Sequence, residues 1–439
     1  MGIEIDDIQS GALRPRPVPY EGRFMFLRVD DRHAGRTLLR RLLPVVGGGL
    51  ADPDPSRDAW VSVAFTYSGL RALGVPQESL DSFSEPFREG MAARADRIGD
   101  VGESAPANWE PPFGTGDVHV AVSALSPDAG RLHTALERAH IALEDTPGVR
   151  VIWRQEVRQL PTGRTTFGFR DGISHPNIEG VGLPGSNPHE APIKAGEFIL
   201  GYPDETGNLP PMPSPEVLGR NGTYVAVRKI RTKVAAWRQY LRANTSGEQD
   251  EALLAAKMVG RWPSGAPLTL TPEHDDPELG ADPHRNNDFL YRENDDRGLR
   301  CPAGAHIRRV NPRDAAIVGD ARMHRLIRRG TTYGPPLPEG VMEDDGADRG
   351  LIGVFTGANL GRQFEFIKAE WVNDGNFIGY PGEQDPIAGH HDGTGTVTIP
   401  EKPIRRRLRN LPSFVATRGG EYCFLPGLRA LRWIAELED

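Results

Sequence analysis

Residues 117–128 of this 439-residue chain read DVHVAVSALSPD and join a strand signal to the start of a helix. Valine occupies every second position from 118 to 122, which is the period of a half-buried strand. Ser126 and Pro127 then supply a capping residue followed by a proline in the first turn, a combination typical of a helix start. Apolar residues continue at helical spacing, and residues 149–153 return as a strand. The stretch therefore predicts a β-α-β unit.

Similar units occur on both sides of this stretch. The further signals are, in chain order, a strand at 59–65 followed by a helix capped at Ser68, a strand at 223–227, a helix at 234–241, a strand at 351–355 with a helix at 362–373, and a strand at 421–425. Two halves built from the same elements predict a duplicated α+β fold, each half an antiparallel sheet with helices on one side. A segment rich in Pro, Gly and Asn separates them, so we predict an N-terminal domain at 1–195 and a C-terminal domain at 196–439.

Composition excludes several classes of protein. A net charge of −8 and a pI near 5.9 provide no general attraction to nucleic acid or to an anionic membrane, so we expect neither as a partner. The only cysteines in the sequence, Cys301 and Cys423, argue against a disulfide framework and fit a reducing compartment. No apolar run has the length of a signal peptide or a membrane span, which predicts a cytoplasmic protein.

Familiar nucleotide, zinc and haem-attachment motifs are absent: the sequence contains no GxxxxGK[ST], HExxH or CxxCH. Residues 390–392, His-His-Asp, could bind a metal, but their glycine-flanked loop offers little preorganisation. The polar segment 265–300 has no clear periodicity, and we expect it to cover the surface or to form a lid.

Three other segments carry candidate chemistry. Residues 167–176, FGFRDGISHP, hold Asp171 between glycines that permit a tight turn, which either directs the carboxylate into a cavity or lets it cap its own turn. Residues 301–313, CPAGAHIRRVNPR, contain His306, which could bind haem iron or be a core histidine that donates to a carbonyl. Residues 326–334, LIRRGTTYG, contain two adjacent arginines, one of which could point inward.

In this order the three segments resemble the dye-decolorizing peroxidase family. The family's GxxDG signature is matched by Gly168, Asp171 and Gly172, its proximal histidine motif by residues 306–313, and its distal arginine motif by residues 328–330. Further similar segments lie at residues 65–70, 362–367, 385–387 and 418–422, so the resemblance covers about residues 20–435. The chain's length and its RQFEF and RGGEY segments are most similar to the longer C- or D-type members.

The resemblance implies two ferredoxin-like domains of the dimeric α+β barrel type, with haem b in the C-terminal one. It implies a peroxidase that reduces hydrogen peroxide and oxidises bulky aromatic substrates such as dyes and phenols through ferryl intermediates, and it allows a homo-oligomer. The alternative is a haem-binding or iron-handling protein with incidental peroxidase activity.

The resemblance also assigns roles to individual residues. Asp171 would move a proton between the peroxide oxygens, and Arg328 would stabilise developing negative charge. His306 would bind the iron, with Asp385, or else Glu365, as the carboxylate that accepts its second ring proton. Arg309 would contact a haem propionate. These assignments leave Arg329 to face solvent, a propionate or a neighbouring carboxylate.

Overall fold

Eight of the strands form one antiparallel sheet in the computed structural model, which describes residues 2–50, 59–144, 146–187, 189–315 and 319–438. The spatial order is β4-β1-β3-β2-β10-β5-β7-β6, and β8 and β9 form a separate hairpin. The strands are β1 (Glu21–Val29), β2 (Trp60–Phe65), β3 (Val120–Ser126), β4 (Val149–Arg158), β5 (Thr223–Thr232), β6 (Ile327–Tyr333), β7 (Gly350–Gly357), β8 (Asp392–Ile399), β9 (Arg406–Pro412) and β10 (Val415–Leu425).

The helices of the described ranges cover this sheet and fill the connections. They are α1 (Ser10–Leu13), α2 (Arg32–Leu42), α3 (Tyr67–Ala72), α4 (Gln77–Asp81), α5 (Glu85–Glu89), α6 (Ala129–Glu144), α7 (Glu216–Gly219), α8 (Val234–Ala243), α9 (Glu248–Val259), α10 (Pro277–Ala281), α11 (Tyr291–Asp295), α12 (His306–Val310) and α13 (Leu428–Ala435), with π-helical segments at Gly361–Glu365 and Ile367–Val372. None of these helices is long and apolar enough to cross a lipid bilayer.

Both halves of the sheet have the same topology. In the N-terminal half, α2 follows β1 and α6 follows β3, and the strands lie in the order β4-β1-β3-β2. In the C-terminal half, α8 and α9 follow β5, the π-helical segments follow β7, and the order β10-β5-β7-β6 repeats the same pattern. This is the ferredoxin-like arrangement, and it confirms the predicted α+β fold of two such units.

The two halves join where β10 pairs with β2, with Phe424 opposite Phe65. The two end strands, β4 and β6, approach each other and close a barrel, and the Thr332 hydroxyl of β6 donates to the Arg158 carbonyl of β4. The barrel interior is mainly apolar and encloses a cavity of about 60 Å³. The predicted domain boundary at 195/196 falls in the long connection between β4 and β5, and its position there stays a prediction.

One sequence expectation about local structure is wrong. The cap of α3 is Thr66, whose hydroxyl accepts the Gly69 N–H at 3.0 Å, and not Ser68. The segment 265–300, expected to cover the surface or to form a lid, contains the short helices α10 and α11 and also buries Asn286, Asn287 and Asp295. The side chains of these three residues bind main-chain groups and tie the segment to the fold.

We predict that Phe424→Ala destabilises the barrel by about 3–5 kcal/mol, because it deletes a buried ring at the junction of the two halves. Phe424 is fully buried and contacts the Phe83 ring at a centroid distance of 5.1 Å. The measurement is the free energy of unfolding from denaturant titration, with Leu209→Ala, at a position 63% exposed, as the control. Equal stabilities of the two variants would contradict the proposed role of this junction.

Candidate active site

Strand β6 presents its two adjacent arginines to opposite faces of the sheet. Arg329 and Thr331 line the cavity inside the barrel. Because neighbouring residues of a strand point in opposite directions, Arg328 and Gly330 face the outside of the barrel. The candidate site lies on this outer face.

Arg329 belongs to the scaffold. Its Nε donates to the Arg14 carbonyl at 2.8 Å and its Nη2 donates to the Ala12 carbonyl at 3.1 Å. The side chain is buried, and burial lowers its pKa to about 9. The expectation that Arg329 faces solvent, a propionate or a carboxylate is therefore wrong, since main-chain oxygens inside the fold are its partners.

Arg328 lies on this outer face with part of its surface exposed to solvent. Surrounding protein nevertheless lowers the pKa of its guanidinium; nearby Arg325 lowers it further and Asp171 opposes this. We interpret an exposed side chain that protein surrounds as lining a concavity, which we call the recess. Arg328 donates no hydrogen bond to any described residue, so its donors are available in that recess.

Asp171 lies over the same face of β6. The flanking Gly168 and Gly172 have φ of 87° and 77°, left-handed values that glycine adopts at low cost. A Cβ atom added at Gly330 would lie 3.1 Å from Asp171 Oδ2, so the carboxylate sits close above this strand. Asp171 Oδ2 also accepts a hydrogen bond from Arg16 Nη2 at 3.1 Å, a contact that sequence reasoning missed.

His306, the candidate iron ligand, begins helix α12 and pairs with Asp385. His306 Nδ1 lies 2.8 Å from Asp385 Oδ2, and the His306 side chain is 27% exposed whereas Asp385 is fully buried. The other oxygen of Asp385 accepts the N–H groups of Ile387 and Ala388, each at 2.8 Å. Because Nδ1 of His306 bonds to Asp385, the other ring nitrogen, Nε2, is available to bind a ligand.

The Asp385 carboxylate is ionised. Burial would raise its pKa, but the charge that His306 carries when protonated, the His306 hydrogen bond, the charge of Arg309 and the Ala388 N–H together lower the pKa to about 2. His391 supports the same turn, because its Nε2 lies 2.8 Å from the Asp385 carbonyl oxygen. The structure thus places a fixed negative charge behind His306.

Asn287 connects the loop that carries Asp171 with the motif that carries His306. Its side-chain amide donates to the Ile173 carbonyl, two residues after Asp171. Its Oδ1 accepts a hydrogen bond from Arg313 Nη2 at 3.1 Å, seven residues after His306. Asn287 lies in the segment 265–300, and no pattern in that segment predicted that it links the Asp171 loop with the His306 motif.

Two of the residues predicted from the resemblance make other contacts within the fold. Arg309 is fully buried, and its guanidinium donates to three main-chain carbonyls, those of Trp371, Asp374 and Glu383. Its contact with a haem propionate stays a prediction. Glu365 accepts hydrogen bonds from Arg94 and from the Tyr422 hydroxyl, the latter at 3.0 Å, so it is not the partner of His306.

The surroundings of the recess are cationic. Arg325 lies near enough to both Arg313 and Arg328 to lower the pKa of each guanidinium, after the larger effect of burial. Burial and the charges of Arg329 and Arg325 lower the pKa of His175 to about 3, which keeps this imidazole neutral. Arg325 also forms an ion pair with Glu190, and Arg313 donates to the main-chain oxygens of Asn287 and Phe289, so part of this positive charge is already compensated within the fold.

A conventional metal centre does not explain the site. Throughout the described ranges, which include the His-His-Asp sequence at 390–392, no group of three or more His, Cys, Asp or Glu side chains is arranged to hold a metal ion. One imidazole with a free nitrogen suits a metal whose other ligands come from a cofactor.

Comparisons with known proteins agree with this geometry. The sequence model of the DyP dimeric alpha+beta barrel domain matches residues 52–151. A dye-decolorizing peroxidase of Mycena epipterygia is 31% identical over 99% of this chain and 87% of that protein, and one of Exidia glandulosa is 32% identical over 98% and 86%.

Solved structures give the same result. An ancestral D-type dye-decolorizing peroxidase is 30% identical, with a TM-score of 0.85 over 98% of this chain and 99% of that one. A fungal DyP-type peroxidase from Auricularia auricula-judae is 28% identical, with a TM-score of 0.85 over 99% of this chain and all of that one. With sequence, fold and these relatives in agreement, the chain belongs to the dye-decolorizing peroxidase family.

Proposed function

We propose that this protein is a haem peroxidase that reduces hydrogen peroxide and oxidises bulky aromatic compounds such as dyes and phenols. The observation that carries the proposal is that Asp171 lies near Arg328 over β6 and that His306 pairs with Asp385, with the Asp171 loop and the His306 motif linked through Asn287. One solved relative, 29% identical, is a dye-decolorizing peroxidase in complex with 2,6-dimethoxyphenol, which supports the same substrate class here.

The residues present fit a haem, and we propose haem b. His306 offers a free imidazole nitrogen to an iron, which is the ligand that a porphyrin iron takes from a protein. Bound there, the cofactor supplies an iron that takes up oxidising equivalents from peroxide and passes them to aromatic substrates.

His306 and Asp385 prepare the axial ligand. The ionised Asp385 carboxylate accepts the Nδ1 proton of His306, which fixes the imidazole tautomer and its orientation. The same negative charge makes the free nitrogen a stronger electron donor.

Asp171 and Arg328 act on the peroxide. As a general base, Asp171 would accept the proton of one peroxide oxygen and return it to the other, which would leave as water while a bound haem supplies the two electrons that break the O–O bond. Arg328 stays cationic and directs its free donors at the negative charge that develops on the departing oxygen. Neither group is needed merely to hold a cofactor, so their presence favours an enzyme over an iron-handling protein.

An absorption spectrum of the purified protein distinguishes these functions. A peroxidase shows a haem Soret band that changes rapidly on addition of one equivalent of hydrogen peroxide and recovers when a phenol is added. A haem carrier keeps the Soret band but reacts slowly, and a protein without haem has no such band.

We further propose a cytoplasmic location. Cys301 and Cys423 are both free and buried, and burial raises the pKa of Cys301 to about 12, so the thiols are protected from oxidation. Free thiols fit a reducing compartment.

We predict that His306→Ala abolishes most haem binding while the protein remains folded, because the variant removes the axial ligand and leaves the barrel untouched. Haem content per protein, measured from the Soret absorbance, checks this. His133→Ala, at a side chain 74% exposed on α6, is the control and should keep its haem. Normal haem content in His306→Ala would contradict the assignment.

We predict that Asp171→Asn retains haem but reacts with hydrogen peroxide about 10²-fold more slowly or worse, the usual loss when a general base is removed. Stopped-flow measurement of the peroxide reaction gives the rate. Asp117→Asn, which removes another partly exposed carboxylate paired with an arginine, should react at the wild-type rate. A normal rate in Asp171→Asn would contradict this role and would mean that another group moves the proton.

Arg328→Leu and Arg329→Leu should fail in different ways. Loss of a preorganised donor at Arg328 lowers the peroxide rate by about 10²–10³ with little change in stability. Arg329→Leu leaves buried carbonyls without a donor and lowers the free energy of unfolding by about 1–3 kcal/mol, with a smaller effect on rate. Stopped-flow and denaturant titration of both variants test this, and the reverse pattern would contradict the assignment.

A further inference from the structure

A proline-rich arm precedes strand β1 and runs past the recess. Residues 14–20 read RPRPVPY, with proline at every second position. Proline fixes its own φ and restricts the residue before it to extended conformations, so the arm has little freedom even without regular secondary structure. A side chain on such an arm is held in a defined direction.

The arm is fixed to β6 from both faces of the strand. Arg329, pointing into the barrel, donates to the Arg14 carbonyl. On the other face, the Tyr20 hydroxyl accepts the Thr332 N–H at 2.8 Å and lies 2.9 Å from the Thr332 hydroxyl. The strand that carries Arg328 therefore also positions the arm.

Arg16 extends from this arm to Asp171. Its guanidinium packs over the Tyr20 ring at 4.4 Å from the ring centroid, and its Nη2 donates to Asp171 Oδ2 at 3.1 Å. The Arg16 side chain is 9% exposed although that of Asp171 is 41% exposed. In the described part of the chain, this is the one hydrogen bond that the Asp171 carboxylate makes.

We infer that Arg16 is a positioning residue of the distal site, one that holds the Asp171 carboxylate above Gly330 and beside Arg328. The inference rests on the proposed role of Asp171 as the proton acceptor for peroxide. Main-chain hydrogen bonds hold the loop at Arg170 and Ile173, but they leave the Asp171 side chain free to rotate about its own bonds, so the loop alone does not fix the carboxylate. Arg16 supplies that constraint from a segment 155 residues away in sequence.

The contact acts through geometry. A partly exposed ion pair contributes only about 0–1 kcal/mol to stability, so removing it should leave the fold intact. A displacement of about 1 Å at a reacting group can cost about 10²-fold in rate. Arg16 should therefore affect the peroxide reaction far more than it affects unfolding.

The test compares Arg16→Gln, Arg16→Met and Arg16→Lys as haem-loaded enzymes, in the wild-type and in the Asp171→Asn background. Gln keeps polarity, Met keeps the packing over Tyr20, and both remove the charge. We expect each to slow the peroxide reaction by about 10-fold or more in the wild-type background and by less than about 2-fold when Asp171 is already Asn. Arg16→Lys keeps a cation and should be faster than Arg16→Gln.

A second readout does not depend on turnover. Hydrogen cyanide must also give up a proton when it binds as cyanide, so its equilibrium dissociation constant should increase in Arg16→Gln and Arg16→Met, as in Asp171→Asn. Arg23→Gln, which breaks an exposed ion pair with Glu156 on β1 and β4, is the control and should match the wild type in both measurements.

The outcomes separate this inference from the proposed function. If Asp171→Asn itself reacts normally, the proposed role of Asp171 fails. If Asp171→Asn is slow while both uncharged Arg16 variants react within about 2-fold of the wild type, the inference about Arg16 is overturned. Equal losses in the two backgrounds, or a Lys variant no faster than the Gln variant, overturn it as well, because Arg16 would then act independently of Asp171.

Discussion

Neighbouring side chains of a β-strand point to opposite faces of the sheet. In β6 this constraint gives Arg328 and Arg329 different roles, because one faces the candidate site and the other stabilises the barrel. Arg329 enters the barrel and holds the main-chain carbonyls of Ala12 in α1 and of Arg14 in the arm, while Arg328 enters the recess with its donors unused by the described residues. A shift of one residue in the register of β6 would exchange the two groups. It would also move Gly330, whose lack of a side chain leaves room for Asp171. The register of this strand against β7 therefore determines the distal side of the site.

The proximal side depends on a buried charge. Asp385 is fully enclosed, and taking a carboxylate out of water is costly unless cations and N–H groups compensate it. His306, Arg309 and the N–H of Ala388 do so, which lowers the pKa of Asp385 to about 2. Arg309 thus contributes to the site through its charge and its hold on main-chain carbonyls. The buried carboxylate then directs the free nitrogen of His306 toward the ligand.

The fold class could be predicted from the sequence because strand alternation and helical spacing are local patterns. Alternation and helical spacing predicted β2, β3, β4, β5, β7 and β10 with some of their helices, and the repeated order of strands confirmed the duplication. Strands β1 and β6 were not predicted. Asp171, His306 and Arg328 were nominated through motifs, and Asp385 through resemblance to the family. Arg16 and Asn287 were missed because each acts through a contact more than a hundred residues away in sequence. The alternating prolines around Arg16 were the one visible sign that its side chain is held in a defined direction.

The central claim is that one recess places an iron-binding histidine opposite a peroxide-activating pair. An anomalous difference map at the iron absorption edge, from crystals of the haem-loaded protein, tests it most directly. The structure predicts one strong peak within coordination distance of His306 Nε2, with Arg328 and Asp171 on the far side of the porphyrin. A peak beside another histidine, or an iron whose open face is turned away from Arg328 and Asp171, would contradict it.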